Sequence, residues 1–293
     1  MHDIVLGERS TTDRILRALV YAILIGFVLF YLAPLYVMVV TSVKSLEEIL
    51  AGGLLNLPKK LDFYGWDEAW NNACVGTECR GMAPFMINSL IASTLATIIP
   101  TAIGALNGYA LSLWRFKGSE LFFGMLLFGA FIPFQIVLLP MASFLGWIGW
   151  SSSLTGLTFT YIVYGLPFTT LYFRNFFVSF PIDLVNAAKI DGIGYFRFFW
   201  RVALPSSVPI MIVSVIWQFT NTWNDFLFAS TMTKLESATV MVALNNFVEV
   251  ANGVKRYNVD MAAAIIAGLP TLVVYLVAGR YFLRGLMAGA VKG

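Results

Sequence analysis

Three sets of residues in this 293-residue chain have types and spacings suited to chemistry. The first is Asn186-Ala187-Ala188-Lys189-Ile190-Asp191-Gly192, followed after Val202 by Ala203-Leu204-Pro205: a polar, basic, glycine-broken segment between two long hydrophobic stretches. Beside a membrane such a segment can dock a soluble protein, and a plain amphipathic connector lying on the headgroups fits the same residues equally well. The second set is the run Gln218, Asn221, Thr222, Trp223, Asn224 and Asp225, where polar groups interrupt an apolar stretch. Polar groups in hydrocarbon are costly and face a bundle interior or water. Gln218, Asn221 and Asp225 follow i, i+3, i+7 spacing and share one helical face, open either to a passing solute or to hydrogen bonds between helices. The third set is Cys74 and Cys79, whose short spacing in one loop suits a disulfide on the oxidising side of a membrane, with two free or unrelated thiols as the alternative.

What is missing excludes most enzymes. The sequence holds no H-E-x-x-H, no G-x-S-x-G and no G-x-x-x-x-G-K-[ST] phosphate loop. Two cysteines are too few for a structural zinc site, and the single histidine, His2, falls on the other side of the membrane from them. Asp225 lacks a second acid or a histidine nearby, so it makes no hydrolytic centre. The sequence therefore shows no catalytic residue, no metal site and no bound cofactor. Energy from ATP, if used, must come from another subunit.

These residues have to be positioned by membrane-spanning helices. The composition, 59% hydrophobic and 12% charged with a mean hydropathy of +0.79, belongs in a bilayer. A span needs about 20 apolar residues to cross roughly 30 Å of hydrocarbon. The sequence predicts spans near 19–40 and 81–114, two more within the uncharged stretch 121–173 with a turn at Gly146–Ser153, a fifth from about Ser206 to Met232, and a sixth between Asp260 and Arg280. The first span is too long for a signal peptide and no A-x-A-like site follows it.

Lysine and arginine set the orientation, since they are retained on the cytoplasmic side. Arg9, Arg14, Arg17, Arg115, Lys117, Arg174, Lys189, Arg197, Arg201, Arg280, Arg284 and Lys292 fall inside if both termini are cytoplasmic, while Lys44, Lys59, Lys60, Arg80, Lys234, Lys255 and Arg256 lie in acid-rich outside loops. The reading is a cytoplasmic segment 1–18, a six-span domain 19–284 with external loops 41–83 and 233–260 and a cytoplasmic loop 178–205, and a tail 285–293. The net charge of +3 reports topology and implies no nucleic-acid partner.

Within the loop 178–205, Pro181 suits a first helical turn, Asp183 the positive end of a helix, and Asp191-Gly192 a stop at which glycine takes positive φ. Tyr195 to Arg201 mixes aromatics and arginines as interfacial helices do, and Pro205 opens the fifth span. Ala187 and Ala188 leave a face of little bulk for close approach by another surface.

The spacing of this loop resembles the signature E-A-A, three residues, G, nine residues, I-x-L-P of permease subunits in binding-protein-dependent ATP-binding-cassette importers. Asn186 stands in place of the acid and Val202 in place of isoleucine. The resemblance extends over roughly 85–286: Asn88-Ser89-Leu90, Tyr109-Ala110-Leu111, Arg115-Phe116-Lys117-Gly118, Ile132-Pro133-Phe134-Gln135, Gly165-Leu166-Pro167-Phe168 and Trp223-Asn224-Asp225-Phe226-Leu227 look like the second permease of carbohydrate systems such as those for maltose and glycerol phosphate. The Cys-x4-Cys loop is similar to that of glucose or mannose systems.

The resemblance implies an all-α polytopic fold in a bacterial or archaeal cytoplasmic membrane, surrounded by lipid. It also implies a second homologous permease, two copies of a cytoplasmic ATPase that bind the ATP and Mg, and an external sugar-binding protein. Asn186, Ala187, Ala188, Asp191, Gly192, Leu204 and Pro205 would then couple to the ATPase, and Gln218, Asn221, Trp223, Asn224 and Asp225 would line the substrate path. A hexose such as glucose or mannose is the expected solute, with a disaccharide, a polyol or glycerol phosphate as alternatives. An ion-coupled transporter would carry several intramembrane ionisable groups, and a membrane scaffold would need no patterned loop.

Overall fold

The computed structural model describes residues 11–53, 55–249 and 255–290. His2, Arg9, Lys292 and the stretch 250–254 of the second external loop lie outside them. The chain divides into two compact units, Met1–Ala69 with Asn252–Ile265, and Trp70–Ala251 with Ile266–Gly293.

The first unit holds α1 (Thr11–Ser42), two short helices, α2 (Leu46–Leu50) and α3 (Tyr64–Asp67), and a further helical segment that begins at Tyr257. Ser45 caps α2 by accepting the Glu48 N–H. Arg256 pairs with Glu68 at 2.8 Å, and Gly65 lies so close to the Asn258 backbone that a Cβ there would meet its carbonyl oxygen at 2.8 Å.

The second unit opens with a hairpin, β1 (Cys74–Val75) and β2 (Glu78–Cys79), closed by a Cys74–Cys79 disulfide. Then come α4 (Ala83–Leu113), α5 (Ser119–Phe131), α6 (Phe134–Trp147) and α7 (Leu154–Val178), the short α8 (Ile182–Ile190), α9 (Tyr195–Phe198) and α10 (Leu204–Ser206), and α11 (Val208–Trp223), α12 (Leu227–Met232) and α13 (Val240–Glu249). The last helix, α14 (Tyr257–Ala290), gives this unit the part beyond Ile265.

The core is α4 against α7 and α11. Helices in a bilayer gain little from apolar burial against each other and associate where small residues admit close backbones. The face of α4 that is buried obeys this: Ser93, Ala96, Thr97, Pro100, Thr101, Gly104, Ala105 and Gly108 recur at three- and four-residue steps. Cβ atoms added at Gly104 or Gly108 would lie 2.5 Å from Thr169 Oγ1 or the Arg174 backbone nitrogen. Hydrogen bonds cross the same seam: Thr169 Oγ1 donates to the Pro100 carbonyl (2.8 Å), and the Thr101 and Ser214 hydroxyls meet at 3.1 Å. Asn88 and Ser89, noted above as a motif, anchor a later segment. Asn88 Nδ2 donates to the Glu236 and Ala238 carbonyls, and Ser89 Oγ accepts the Val240 N–H.

Two expected spans are broken. The stretch 121–173 does turn at 146–153, where Gly149 has φ 75° and Ser153 caps α7, but its first half bends by 101° between α5 and α6. Pro133 lacks an N–H and disfavours helix at Ile132, whose ψ is 124°. The fifth span was expected to run on to Met232. It ends at Trp223, and α12 is a separate helix, since the Asp225 carboxylate captures the N–H groups that begin it. Upstream, the helical stretch Tyr195–Ser206 meets α11 at 74°. Among the described residues three helical stretches, Arg14–Ser42, Ala83–Leu113 and Tyr257–Gly279, are long and apolar enough to cross a membrane, and the two bent pairs raise that to five.

Candidate functional site

A cavity of about 330 Å³ opens among α6, α7, α11 and α12. α7 supplies Tyr161, Tyr164, Gly165 and Phe168, which share one face because they follow i, i+3, i+4, i+7 spacing. From α11 come Trp217, Gln218, Asn221 and Thr222, and Asp225 follows just past its end. Phe134 and Phe228 complete the wall.

Asp225 is the anchor. Its Oδ2 accepts the Tyr161 hydroxyl at 2.8 Å and the Ala229 N–H at 3.0 Å, and its Oδ1 accepts the Phe228 N–H at 3.4 Å. One carboxylate thus satisfies the start of α12 and a phenol from α7. Gln218, 2% exposed, donates Nε2 to the Tyr161 carbonyl at 3.3 Å, and a Cβ on Gly165 would run into its amide. The Asn221 side chain is exposed and donates Nδ2 to the Trp217 carbonyl at 2.8 Å. The aromatic wall is continuous: Trp217 lies 4.6 Å from Phe168 and 5.7 Å from Tyr172 between ring centroids, and Tyr164 lies 5.7 Å from Phe228. The Tyr164 hydroxyl donates to the Ile132 carbonyl at 3.0 Å, satisfying the backbone at the break between α5 and α6. Flat apolar faces beside amide and carboxylate acceptors are groups that can bind a hydroxylated solute.

The expected path residues divide here. Gln218, Asn221 and Asp225 line the cavity together. Trp223 is fully buried, stacks on Phe219 and donates Nε1 to the Ala267 carbonyl at 2.9 Å, outside the lining. Asn224 is exposed and also lies outside it. The contribution of α7 was missed, although the spacing of Tyr161, Tyr164, Gly165 and Phe168 carried the signal. Among the described residues no group of three or more His, Cys, Asp or Glu could hold a metal.

The patterned loop folds as α8, a turn, and α9 continuing through a π-helical turn (Phe199–Ala203) into α10. Gly192 has φ 71°, which lets its own N–H reach the Lys189 carbonyl (3.1 Å) and the Ile193 N–H the Ala188 carbonyl (2.8 Å), closing the end of α8. Asn186, Ala187, Asp191 and Gly192 face outward with Ile190, which is 86% exposed. Pro205 is also exposed.

Ala187 and Ala188 do not form one open face, because consecutive helical residues point about 100° apart. Ala188 turns inward with Val185, onto a cluster that includes Tyr109, Phe173, Phe177 and Phe198, and Leu204 packs against the same cluster. Tyr109 is its hub, its hydroxyl donating to the Tyr195 carbonyl at 3.0 Å. Lys189 Nζ sits 4.9 Å from the Trp114 ring centroid.

Residues 101–284 match the family described as binding-protein-dependent transport system inner membrane component. A probable ABC transporter permease protein of Pyrococcus horikoshii is 39% identical over 184 residues, 62% of this chain and 66% of that protein. The probable ABC transporter permease protein YurM of Bacillus subtilis is 31% identical, covering 89% of this chain and 83% of its own. The xylose/arabinose import permease protein XacI of Haloferax volcanii is 30% identical over 94% and 93%. In fold, the chain is similar to one from a bacterial ABC transporter involved in the import of the acidic polysaccharide alginate, with a TM-score of 0.77 at 20% identity over 93% of this chain and 98% of that one. With its helices, its broken spans and its patterned loop, the chain belongs to the family of binding-protein-dependent transport system inner membrane components, the non-catalytic, multi-pass permease subunits of ABC importers.

Proposed function

We propose that this chain is the permease of a carbohydrate importer and passes a hexose through the cavity between α7 and α11. The observation that carries the reading is the lining itself: aromatic faces beside Gln218, Asn221 and Asp225 in a chain built to sit in a membrane. XacI, matched over 93% of its length, is a permease for the import of xylose and arabinose, two pentoses, and so supports a solute of monosaccharide size. A volume of about 330 Å³ lies at the small end of ligand pockets, roughly 300–1,000 Å³, and favours a monosaccharide such as glucose or mannose over an oligosaccharide. Asp225 is the one charged residue in the lining, which disfavours an anion such as glycerol phosphate.

In this reading six spans place both termini in the cytoplasm. α7 counts as a span although it is less apolar, because α4 and α11 cover it and protein, unlike lipid, accepts its threonines and tyrosines. A second permease completes the pathway. Two ATPase subunits, which carry the ATP and Mg, dock on the outward face of α8 at Asn186, Ala187, Asp191 and Gly192. Ala188 and Leu204 seat that face on the permease core, Pro205 ends the segment, and an external binding protein delivers the sugar. Lacking a carboxylate at 186, the contact rests on shape and on the Gly192 turn. Closure of the ATPases would bias the permease between two states.

The test is ATP hydrolysis by the reconstituted complex with its binding protein and each of glucose, mannose, xylose, maltose and glycerol 3-phosphate. Stimulation by a hexose is expected. Stimulation by glycerol 3-phosphate alone would overturn the substrate class.

A further inference from the structure

The segment that follows α1 carries a surface that the transport pathway does not use. Leu55, Leu57, Leu61 and Phe63 are 59–71% exposed, an unusual density of large apolar side chains for a polar connection. Their depth is fixed by one hydrogen bond. The hydroxyl of Tyr36, inside the helix, donates to the Leu55 carbonyl at 2.8 Å. Tyr36 lies six residues, about 9 Å along the axis, before the end of α1 at Ser42. The charge-free run from Ala18 to Val43 is about 39 Å long as helix, against roughly 30 Å of hydrocarbon, so a centred span leaves the acyl region near Val40. Tyr36 lies four residues, about 6 Å, below that point, so Leu55 is held in the outer part of the acyl region, under the headgroups and not in open water. At that depth a bare carbonyl is costly, and the Tyr36 bond satisfies it.

A charged group follows just past the end of α1, four residues beyond Val40. Lys44 is 2% exposed, donates one hydrogen bond to the Gly53 carbonyl at 3.1 Å, and borders a cavity of about 650 Å³. An ammonium has three N–H donors. Lys59 and Lys60 border the cavity too, as do Glu47, Glu48 and Asp62. Two of those acids are engaged by backbone: Glu48 accepts the Lys59 N–H at 2.9 Å and Asp62 the Tyr64 N–H at 2.8 Å. No ion pair joins Lys44 to an acid among the described residues.

We propose that this segment is an interfacial anchor, in which Leu55, Leu57, Leu61 and Phe63 seat in the bilayer boundary and the Lys44 ammonium holds the phosphate of a phospholipid headgroup in the cavity beside them. Apolar side chains below and lysines above are what an interfacial element needs. The inference requires only that α1 crosses the bilayer; the orientation proposed above makes the leaflet the external one.

The test uses the whole complex in nanodiscs of phosphatidylethanolamine and phosphatidylglycerol, with partner subunits free of reactive thiols. Both native cysteines are in the disulfide, so a nitroxide attached at L57C or L61C reports one site. Greater collision with oxygen than with a nickel chelate is expected. A nickel excess would place the segment in water, and suppression of both would show that a protein partner covers it; either result overturns the anchor.

For the phosphate, K44Q should lose about one tightly held lipid phosphorus per chain after delipidation while K44R keeps it. Equal lipid phosphorus in wild type and K44Q would overturn the Lys44 assignment. So would retention by the delipidated wild type of added inorganic phosphate in place of lipid. Neither readout depends on the transported solute, so failure here and failure of the sugar assignment are separable.

Discussion

Replacing Tyr161 and Asp225 singly and together would show how firmly the cavity wall is tied to α12. Tyr161→Phe removes the 2.8 Å bond to Oδ2 and leaves the carboxylate its backbone donors at the start of α12. Hydrogen bonds between membrane helices average about 0.6 and reach about 1.7 kcal/mol; with a charged acceptor this one belongs near the top, about 1.5 kcal/mol. Asp225→Ala loses more. It removes the side-chain cap from α12, worth about 1 kcal/mol, and strands the Tyr161 hydroxyl in a buried site at about 1–3 kcal/mol. The single variant should therefore cost about 3 kcal/mol.

The double variant has no hydroxyl left to strand, so it should cost about 2–3 kcal/mol instead of the summed value near 4.5, a coupling of about 1.5–2.5 kcal/mol. Unfolding of the purified protein in mixed micelles by a denaturing detergent reads these differences, with sugar uptake by proteoliposomes measured on the same variants. Additivity to within about 0.5 kcal/mol would refute the claim that the two side chains form one unit. If Asp225 also touches the solute, Asp225→Asn should lower uptake further than Tyr161→Phe at matched stability.

Two further predictions concern backbone approach. Gly108→Val should separate α4 from α7, because its Cβ would lie 2.5 Å from the Arg174 nitrogen and backbone cannot yield as a side-chain tip can; the expected loss is about 1–3 kcal/mol, seen as reduced membrane accumulation and easier unfolding. Gly124→Ala, with no atom near the added Cβ, should behave as wild type or slightly better under the same assays, and similar losses at both positions would show that the effect is not packing. Gly192→Val meets open space but must adopt φ 71°, a strain of about 1–2 kcal/mol for a β-branched residue. It should leave the protein in the membrane and abolish solute-stimulated ATP hydrolysis, whereas Gly192→Asn, which tolerates that region, retains it; wild-type stimulation in the valine variant would count against docking on α8.

The features legible in the sequence were those with local causes. Gly192 follows an alanine-rich turn and an aspartate, and only its left-handed backbone closes α8. The cluster Gly146 to Ser153 ends one helix and caps the next within a few residues. The breaks were harder because proline alone does not decide them. Pro34, Pro100, Pro140, Pro167 and Pro270 all sit inside helices, while Pro133 ends one. The difference lies far away in sequence: at the broken site Tyr164 accommodates the freed Ile132 carbonyl. The α7 wall escaped notice for another reason. In a bilayer the face toward lipid is as apolar as the face toward protein, so hydropathy no longer separates inside from outside. Trp223 has polar neighbours that suggest a path, while its indole donates to the Ala267 carbonyl and lies outside this cavity's lining.

The two candidate sites are joined by a single helix, α11, and both of its ends depart from regular geometry for nameable reasons. At the start, Pro205 and Pro209 bracket the 74° bend four residues apart, and the N–H that would bond back to the Pro205 carbonyl does not exist because residue 209 is also proline. The Ser207 N–H instead shares the Ala203 and Leu204 carbonyls. At the other end, the Asn224 N–H still reaches the Thr220 carbonyl, but the Asp225 side chain then takes the donors that would have extended the helix. The straight piece between these ends carries Ser214, bonded to Thr101 of α4, and Gln218, bonded to the Tyr161 carbonyl of α7. A displacement applied at α10 would therefore act on a helix that is hydrogen-bonded to both α4 and α7 before it reaches the cavity.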